Sequence, residues 1–126
     1  QGMLDTGLLN KNSVGNLDDA LASQAYRRFY MHGTGHWLGL DVHDVGNYRK
    51  SELSGDEKPY RLLQAGMVIT IEPGIYVQPA PDVPKEFWNI GIRIEDDILI
   101  TANGHRNLSS DTPKTVTEIE AEMRTI

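Results

Sequence analysis

Glycine and proline interrupt the middle of this 126-residue chain so often that no long helix fits there. Each glycine inside a helix costs about 1 kcal/mol relative to alanine. Residues 78–88 hold three prolines and predict a surface loop. Short extended segments joined by turns are therefore expected between residues 29 and 47, where the glycines are Gly33, Gly35, Gly39 and Gly46.

Two segments alternate in the manner of strands. In residues 67–72, one face holds Met67, Ile69 and Ile71 and the other holds Val68, Thr70 and Glu72. In residues 90–95, three isoleucines share one face while Glu95 lies on the other. Residues 98–101 predict either a further strand or a continuation past a bend at Asp96 and Asp97.

Helices are predicted at both ends of the chain. A helix over residues 17–28 would begin at the N-cap Asn16, with two aspartates in its first turn. Thr117 and Glu120 match a capping box for a last helix. Antiparallel strands backed by such helices make an α+β domain, and the length suits one domain rather than two.

Composition excludes several classes of function. Eighteen acidic against twelve basic residues give a net charge of −6, which argues against binding to nucleic acid or to an anionic membrane. There are no cysteines, so disulfides and thiolate metal sites are excluded. No apolar run is long enough to predict a membrane span. A cytoplasmic protein is expected, and because the chain does not begin with Met, we expect it to be part of a longer one.

The densest polar cluster is HGTGHWLGLDVHDVG, which contains three of the four histidines. Imidazole is both a common metal ligand and a common acid–base group near neutral pH. The alternative is a turn-rich core segment whose histidines are satisfied by hydrogen bonds. His32 and His36 have the spacing of the zinc helix HExxH, but Gly33 replaces its glutamate and Gly35 disfavours the helix, so the motif does not match.

The two strand-borne carboxylates point to the same chemistry. Burying an unpaired carboxylate carries a large desolvation free energy. Glu72 therefore needs a cation, a metal ion or a position at the solvent edge. For Glu95 the simpler alternative is an ion pair with Arg93. Imidazole nitrogen combined with carboxylate oxygens suits Mn²⁺, Co²⁺, Zn²⁺ or Fe²⁺. One histidine and two glutamates supply only three ligands, fewer than a two-metal hydrolase normally uses.

The motifs HGTGHWLGLDVHDVG, TIEPGIYV and GIRIEDDILIT, in this order, resemble the C-terminal half of the catalytic domain of the Xaa-Pro aminopeptidase (aminopeptidase P) family. This family belongs to the pita-bread metallopeptidases. The resemblance extends from about Leu17 to the C-terminus. It implies a pita-bread fold and a site that hydrolyses peptides with proline in second position. That site would hold two divalent ions, with Mn²⁺ as the first choice.

The resemblance also implies roles for individual residues. The family's metal-binding residues are matched by His36, Glu72 and Glu95, and Glu72 also matches the residue that handles the proton of the attacking water. His43 matches a histidine that hydrogen-bonds the scissile carbonyl or the oxyanion.

Three further positions match residues that face the substrate in this family. His32 matches a substrate-facing histidine, and Arg93 matches an arginine that orders polar groups beside the metals. Tyr48 lies where the family has a residue lining the substrate pocket.

One departure from the family pattern limits these expectations. Two further aspartate ligands come from the N-terminal half of the family's domain, and nothing in this sequence matches that half. The chain alone is therefore expected to be inactive, to need the missing half as its partner and to self-associate. Residues 50–59 are also longer than the family's usual connection. A prolidase, or a pita-bread module that binds peptides or proteins without catalysis, are the alternatives.

Overall fold

Four short α-helices and five short strands form in the described part of the chain, residues 1–50 and 59–124 of a computed structural model. The helices are α1 (Gly2–Asp5), α2 (Lys11–Val14), α3 (Leu17–Ala22) and α4 (Val116–Met123), with 3₁₀ turns at Ala25–Arg28 and Lys85–Phe87. The strands are β1 (Val68–Ile71), β2 (Gly74–Tyr76), β3 (Gly91–Arg93), β4 (Asp96–Thr101) and β5 (Gly104–Asn107).

The chain divides into two compact units, and the first contains residues 1–33 and 73–93. Strands β2 and β3 pair antiparallel there, with Ile75 opposite Ile92. Helices α1 to α3 belong to this unit. Its apolar core consists of the buried residues Leu4, Leu8, Leu9, Ala20, Phe29, Val77 and Val83.

The second unit contains residues 34–72 and 94–126. Its sheet has the order β1-β4-β5, and both pairs are antiparallel, with Val68 opposite Leu99 and Ile98 opposite Asn107. The most buried side chain of β1 is a threonine, Thr70, and the glutamate that follows the strand, Glu72, is also buried. Burial of polar side chains at this end of the sheet requires hydrogen bonds or ions to satisfy them.

Several sequence predictions need correction. The helix expected over residues 17–28 ends at Ala22, because Gln24 adopts the left-handed conformation (φ 55°) and the chain continues as a 3₁₀ turn. The capping box of α4 is formed by Thr115 and Glu118 rather than by Thr117 and Glu120. Strand β5 was not predicted.

The isoleucine-rich segment forms two strands with different partners, since β3 pairs with β2 and β4 pairs with β1. The strand expected over residues 90–95 is therefore shorter, and Glu95 lies in the connection between β3 and β4. Among the described residues, no helix is both long enough and apolar enough to cross a membrane.

A polar cluster fixes the first residue of β4. Hydrogen bonds from the Asn107 side chain, then from Lys114 and Ser109, lower the pKa of Asp96 from its ordinary 3.8 to about 2. The Lys114 ammonium lies 3.0 Å from the Asp96 carboxylate, and the Ser109 hydroxyl donates to the same oxygen at 2.8 Å. The cluster ties the segment after β5 to the start of β4.

We expect this cluster to make stability depend on pH at the acid end. The unfolded chain binds a proton at Asp96 near the ordinary pKa of 3.8, and the folded chain binds it only near pH 2. The contribution of Asp96 to the free energy of unfolding is therefore present above about pH 4 and is lost as the pH falls towards 2. Urea unfolding between pH 5 and pH 2 should show a smaller decline for Asp96→Asn than for the wild type. Asp111→Asn, at an exposed turn, is the control and should keep the full decline; equal declines in all three proteins would contradict the prediction.

Candidate metal centre

The histidine-rich segment is held along one edge of the sheet by backbone pairing with β1. Trp37 forms a β-bridge to Ile69, the His36 carbonyl accepts from the Thr70 N–H at 3.0 Å, and the Val68 carbonyl accepts from the Leu38 N–H at 3.1 Å. This pairing places the imidazole of His36 beside the end of β1, where Glu72 follows.

Three of the predicted residues come together in the second unit. One ligand atom from each of His36, Glu72 and Glu95 lies within 4.8 Å of the other two. Glu72 is 6% exposed, His36 is half-buried and Glu95 is exposed. No other group of three potential ligands meets this criterion in the part of the chain that the structure describes.

The hydrogen bonding of His36 shows that this cluster suits a cation. Its Nδ1 lies 2.9 Å from the Trp37 carbonyl oxygen, and because a carbonyl only accepts, Nδ1 carries a proton. Nε2 lies 3.2 Å from Oε1 of Glu72. In the neutral ring, Nε2 is an acceptor facing another acceptor, which is favourable only with a proton or a metal ion between them.

The donor set favours a metal ion over a proton. A proton on Nε2 would place one positive charge beside two carboxylates. A divalent ion balances both carboxylates and leaves the ring neutral, the form in which histidine binds metals. One nitrogen and carboxylate oxygens fit Mn²⁺, Co²⁺, Zn²⁺ or Fe²⁺. The three residues thus fit a divalent ion, with coordination positions left for further ligands.

Two more of the predicted residues lie in the same unit. The ring of His43 is 4.2 Å from that of His36, centroid to centroid, and His43 is exposed. Tyr48 stacks on Trp37 with the rings 5.5 Å apart, and its hydroxyl accepts from the Trp37 N–H at 3.2 Å. An apolar cavity of about 260 Å³ is lined by residues that include His36, Trp37, Tyr48 and Thr70.

The remaining two predicted residues, His32 and Arg93, meet in the first unit through a tyrosine. The Tyr76 hydroxyl accepts from Nε of Arg93 at 2.8 Å and lies 3.0 Å from Nε2 of His32. Nδ1 of His32 faces the Gly33 carbonyl at 2.6 Å, so Nδ1 donates and Nε2 accepts the tyrosine proton. Sequence reasoning missed Tyr76, because its partners His32 and Arg93 are far from it in the chain.

Of the long polar connection predicted over residues 50–59, residues 51–58 lie outside the described part of the chain. Its two ends are paired, since the Lys50 N–H donates to the Pro59 carbonyl at 3.0 Å.

Comparison with known proteins connects this geometry to a family of enzymes. The model of metallopeptidase family M24 matches residues 10–102. The Xaa-Pro aminopeptidase of Haemophilus influenzae is 50% identical over 120 residues, which cover 95% of this chain and 25% of that protein. The chain therefore spans about a quarter of the length of such relatives.

Solved structures agree with the sequence matches. The aminopeptidase PepP of Pseudomonas aeruginosa superposes with a TM-score of 0.85 at 47% identity, covering 98% of this chain and 26% of that one. Zinc-substituted aminopeptidase P of Escherichia coli, in complex with product, gives a TM-score of 0.83 at 46% identity, with the same coverage of 98% and 26%. The predicted α+β pita-bread fold and the resemblance to aminopeptidase P are confirmed.

Gly46 is expected to be required for the packing behind His36. A Cβ at this position would lie 2.5 Å from Cδ1 and 2.6 Å from Nε1 of Trp37, whose carbonyl orients the His36 ring. Gly46→Ala should therefore lower the free energy of unfolding by about 1–3 kcal/mol, as overpacking typically does. Gly2→Ala is the control, because a Cβ at Gly2 meets nothing within 4 Å; equal stability of the two variants in urea titrations would refute the expectation.

Proposed function

The chain belongs to metallopeptidase family M24, and on that premise we propose that it is the C-terminal part of a dinuclear-metal aminopeptidase. The enzyme would release the N-terminal residue from peptides with proline in second position. The observation that carries this proposal is the convergence of three ligand atoms, from His36, Glu72 and Glu95, within 4.8 Å. The identity of 50% to an Xaa-Pro aminopeptidase supports the substrate class.

In this proposal His36, Glu72 and Glu95 hold two divalent ions. Mn²⁺ is the preferred metal, and Co²⁺, Zn²⁺ or Fe²⁺ are the alternatives. Bound divalent ions supply Lewis-acid activation of water at neutral pH. Two further aspartates come from the rest of the protein, so the 126-residue chain alone would be inactive. A cytoplasmic location stays a prediction, and self-association of the isolated chain is supported by exposed apolar side chains at Leu40 and Val45.

Glu72 is the proposed proton carrier. Its carboxylate takes the proton of the attacking water and delivers it to the leaving proline nitrogen, which makes the departure of the amine possible. Burial suits this role because a carboxylate shielded from solvent keeps the proton within the site. His43 would donate a hydrogen bond to the carbonyl oxygen as negative charge develops on it; its exposure beside the His36 ring leaves it accessible to a peptide.

The proposed substrate contacts divide into two sets. Tyr48 would line the pocket as part of the apolar cavity beside His36, which suits a proline ring. His32 and Arg93 would act through the hydroxyl of Tyr76, since both side chains bond to that hydroxyl. The arginine donates to the tyrosine oxygen, and the tyrosine proton is directed to His32. His32 and Arg93 are in this way fixed in orientation before a peptide binds.

Removal of the Glu95 carboxylate tests the metal centre. In the full-length protein, Glu95→Gln should abolish metal-dependent hydrolysis of an Xaa-Pro peptide and weaken Mn²⁺ binding by at least about tenfold, since an amide supplies no negative charge to the ions. Calorimetric titration with Mn²⁺ measures the binding. Glu120→Gln, on the exposed surface of α4, is the control. Normal activity of the Glu95 variant would refute the assignment.

Substrate length separates the aminopeptidase from a prolidase. We expect the full-length protein to cleave Xaa-Pro-Yaa tripeptides at least about tenfold more efficiently, in kcat/KM, than Xaa-Pro dipeptides, a difference of about 1.4 kcal/mol in transition-state binding. Chromatographic detection of the released residue measures both rates. Preference for the dipeptide would indicate a prolidase, and absence of both hydrolysis and bound metal would indicate a binding module without catalysis.

A further inference from the structure

Thr70 is a buried polar residue between two of the proposed metal ligands. Its side chain is among the most buried in the described structure, with 1% of the residue exposed. The hydroxyl accepts a hydrogen bond from the backbone N–H of His36 at 3.0 Å and lies 3.2 Å from Oε1 of Glu72. It therefore contacts the residue on either side of the candidate centre.

The direction of these hydrogen bonds follows from the donors available. A backbone N–H can only donate, so the hydroxyl oxygen of Thr70 must accept from His36. An ionised carboxylate can only accept, so the single hydroxyl proton is directed to Glu72. The hydrogen bond to Glu72 is charge-assisted, and such bonds are roughly twice as strong as neutral ones.

We propose that Thr70 is a positioning residue of the metal centre, whose hydroxyl holds the Glu72 carboxylate in the orientation that metal binding requires. The oxygen that receives the Thr70 proton is Oε1, which is also the atom 3.2 Å from Nε2 of His36. Fixing that atom therefore fixes one edge of the site. This inference rests on the proposed function, because it assigns Thr70 a role in the same centre.

The backbone around Thr70 is rigid enough to support this role. The Thr70 N–H donates to the His36 carbonyl at 3.0 Å, so the two residues are joined by main-chain as well as side-chain bonds. The opposing segment approaches very closely at Gly35, where a Cβ would lie 2.0 Å from the Thr70 carbonyl oxygen. The backbone of Thr70 is therefore closely packed, and its hydroxyl is oriented by the hydrogen bond that it accepts from the His36 N–H.

Two comparisons in the full-length protein isolate the hydroxyl: the wild type with Thr70→Val, and Thr70→Ser with Thr70→Ala. Thr70→Val keeps the shape of the side chain and removes the hydroxyl, and Thr70→Ser keeps the hydroxyl and removes the methyl. Thr70→Ala provides a second comparison, since it differs from Thr70→Ser by the hydroxyl alone. Loss of a hydrogen-bond partner of a metal ligand typically costs 10–100-fold in metal affinity. We expect the Mn²⁺ affinity, measured by calorimetry, to fall about 10–100-fold in Thr70→Val and Thr70→Ala. The affinity of Thr70→Ser should stay within about threefold of the wild type.

The same variants distinguish positioning from general stability. Thermal unfolding without metal reports on the fold, and kcat and KM are measured at saturating Mn²⁺. A positioning role predicts a lower kcat for Thr70→Val and Thr70→Ala, with the KM for the peptide unchanged, because Glu72 acts on the proton and not on substrate binding. Thr101→Val, at an exposed position of β4, is the matched control and should change none of these quantities.

Each outcome is decisive. If the hydroxyl-free variants bind Mn²⁺ within twofold of the wild type, the role of Thr70 is refuted while the proposed function stands. If Thr70→Val does not fold, the comparison of Thr70→Ser with Thr70→Ala decides whether the hydroxyl supports metal binding. If the wild type itself binds no Mn²⁺ and hydrolyses no Xaa-Pro peptide, the proposed function fails and the role of Thr70 fails with it.

Discussion

The antiparallel pairing of the histidine-rich segment with β1 is the interaction on which the candidate site depends. Main-chain hydrogen bonds from the Thr70 N–H to His36 and from the Leu38 N–H to Val68 set the register. The two-residue period of the strand then places Thr70 and Glu72 on the same, buried face. A slip of one residue would turn that face outward and would remove Glu72 from the imidazole. The glycine at Gly35 makes this pairing possible, because any larger residue would collide with the strand.

The cluster brings two carboxylates and one imidazole close together. Nδ1 of His36 faces the Trp37 carbonyl, so Nε2 is the ring nitrogen that faces Glu72 and is available to a cation. Folding and cation binding are therefore linked, since the segment that brings these groups together gains stability from whatever cation occupies the space between them. Tyr48 stacks on Trp37, and the Trp37 carbonyl orients the His36 ring through Nδ1.

Alternation along the strands made Thr70 and Glu72 predictable as neighbours on one face, and the three motifs singled out the three residues, His36, Glu72 and Glu95, whose ligand atoms lie within 4.8 Å of one another. Helix ends were less predictable because the local signals are ambiguous. Thr115 and Thr117 are each followed three residues later by a glutamate, so two capping boxes compete and only the packed chain selects the first. Strand β5 carries His105 and Arg106 with no apolar alternation, so its pairing with β4 left no pattern in the sequence. The bonds of Tyr76 connect residues far apart in the chain and cannot be inferred from spacing.

The three proposed ligands differ in how firmly the chain holds them. His36 and Glu72 are fixed by hydrogen bonds to backbone and to Thr70, and both are at least partly buried. Glu95 is exposed and lies outside the strands, in the connection between β3 and β4. Ligands on rigid elements define the geometry of a site, and a ligand on a connection can adjust to it. In the proposed centre, His36 and Glu72 would therefore define the geometry of the site, and Glu95 would complete the ligand set from the connection.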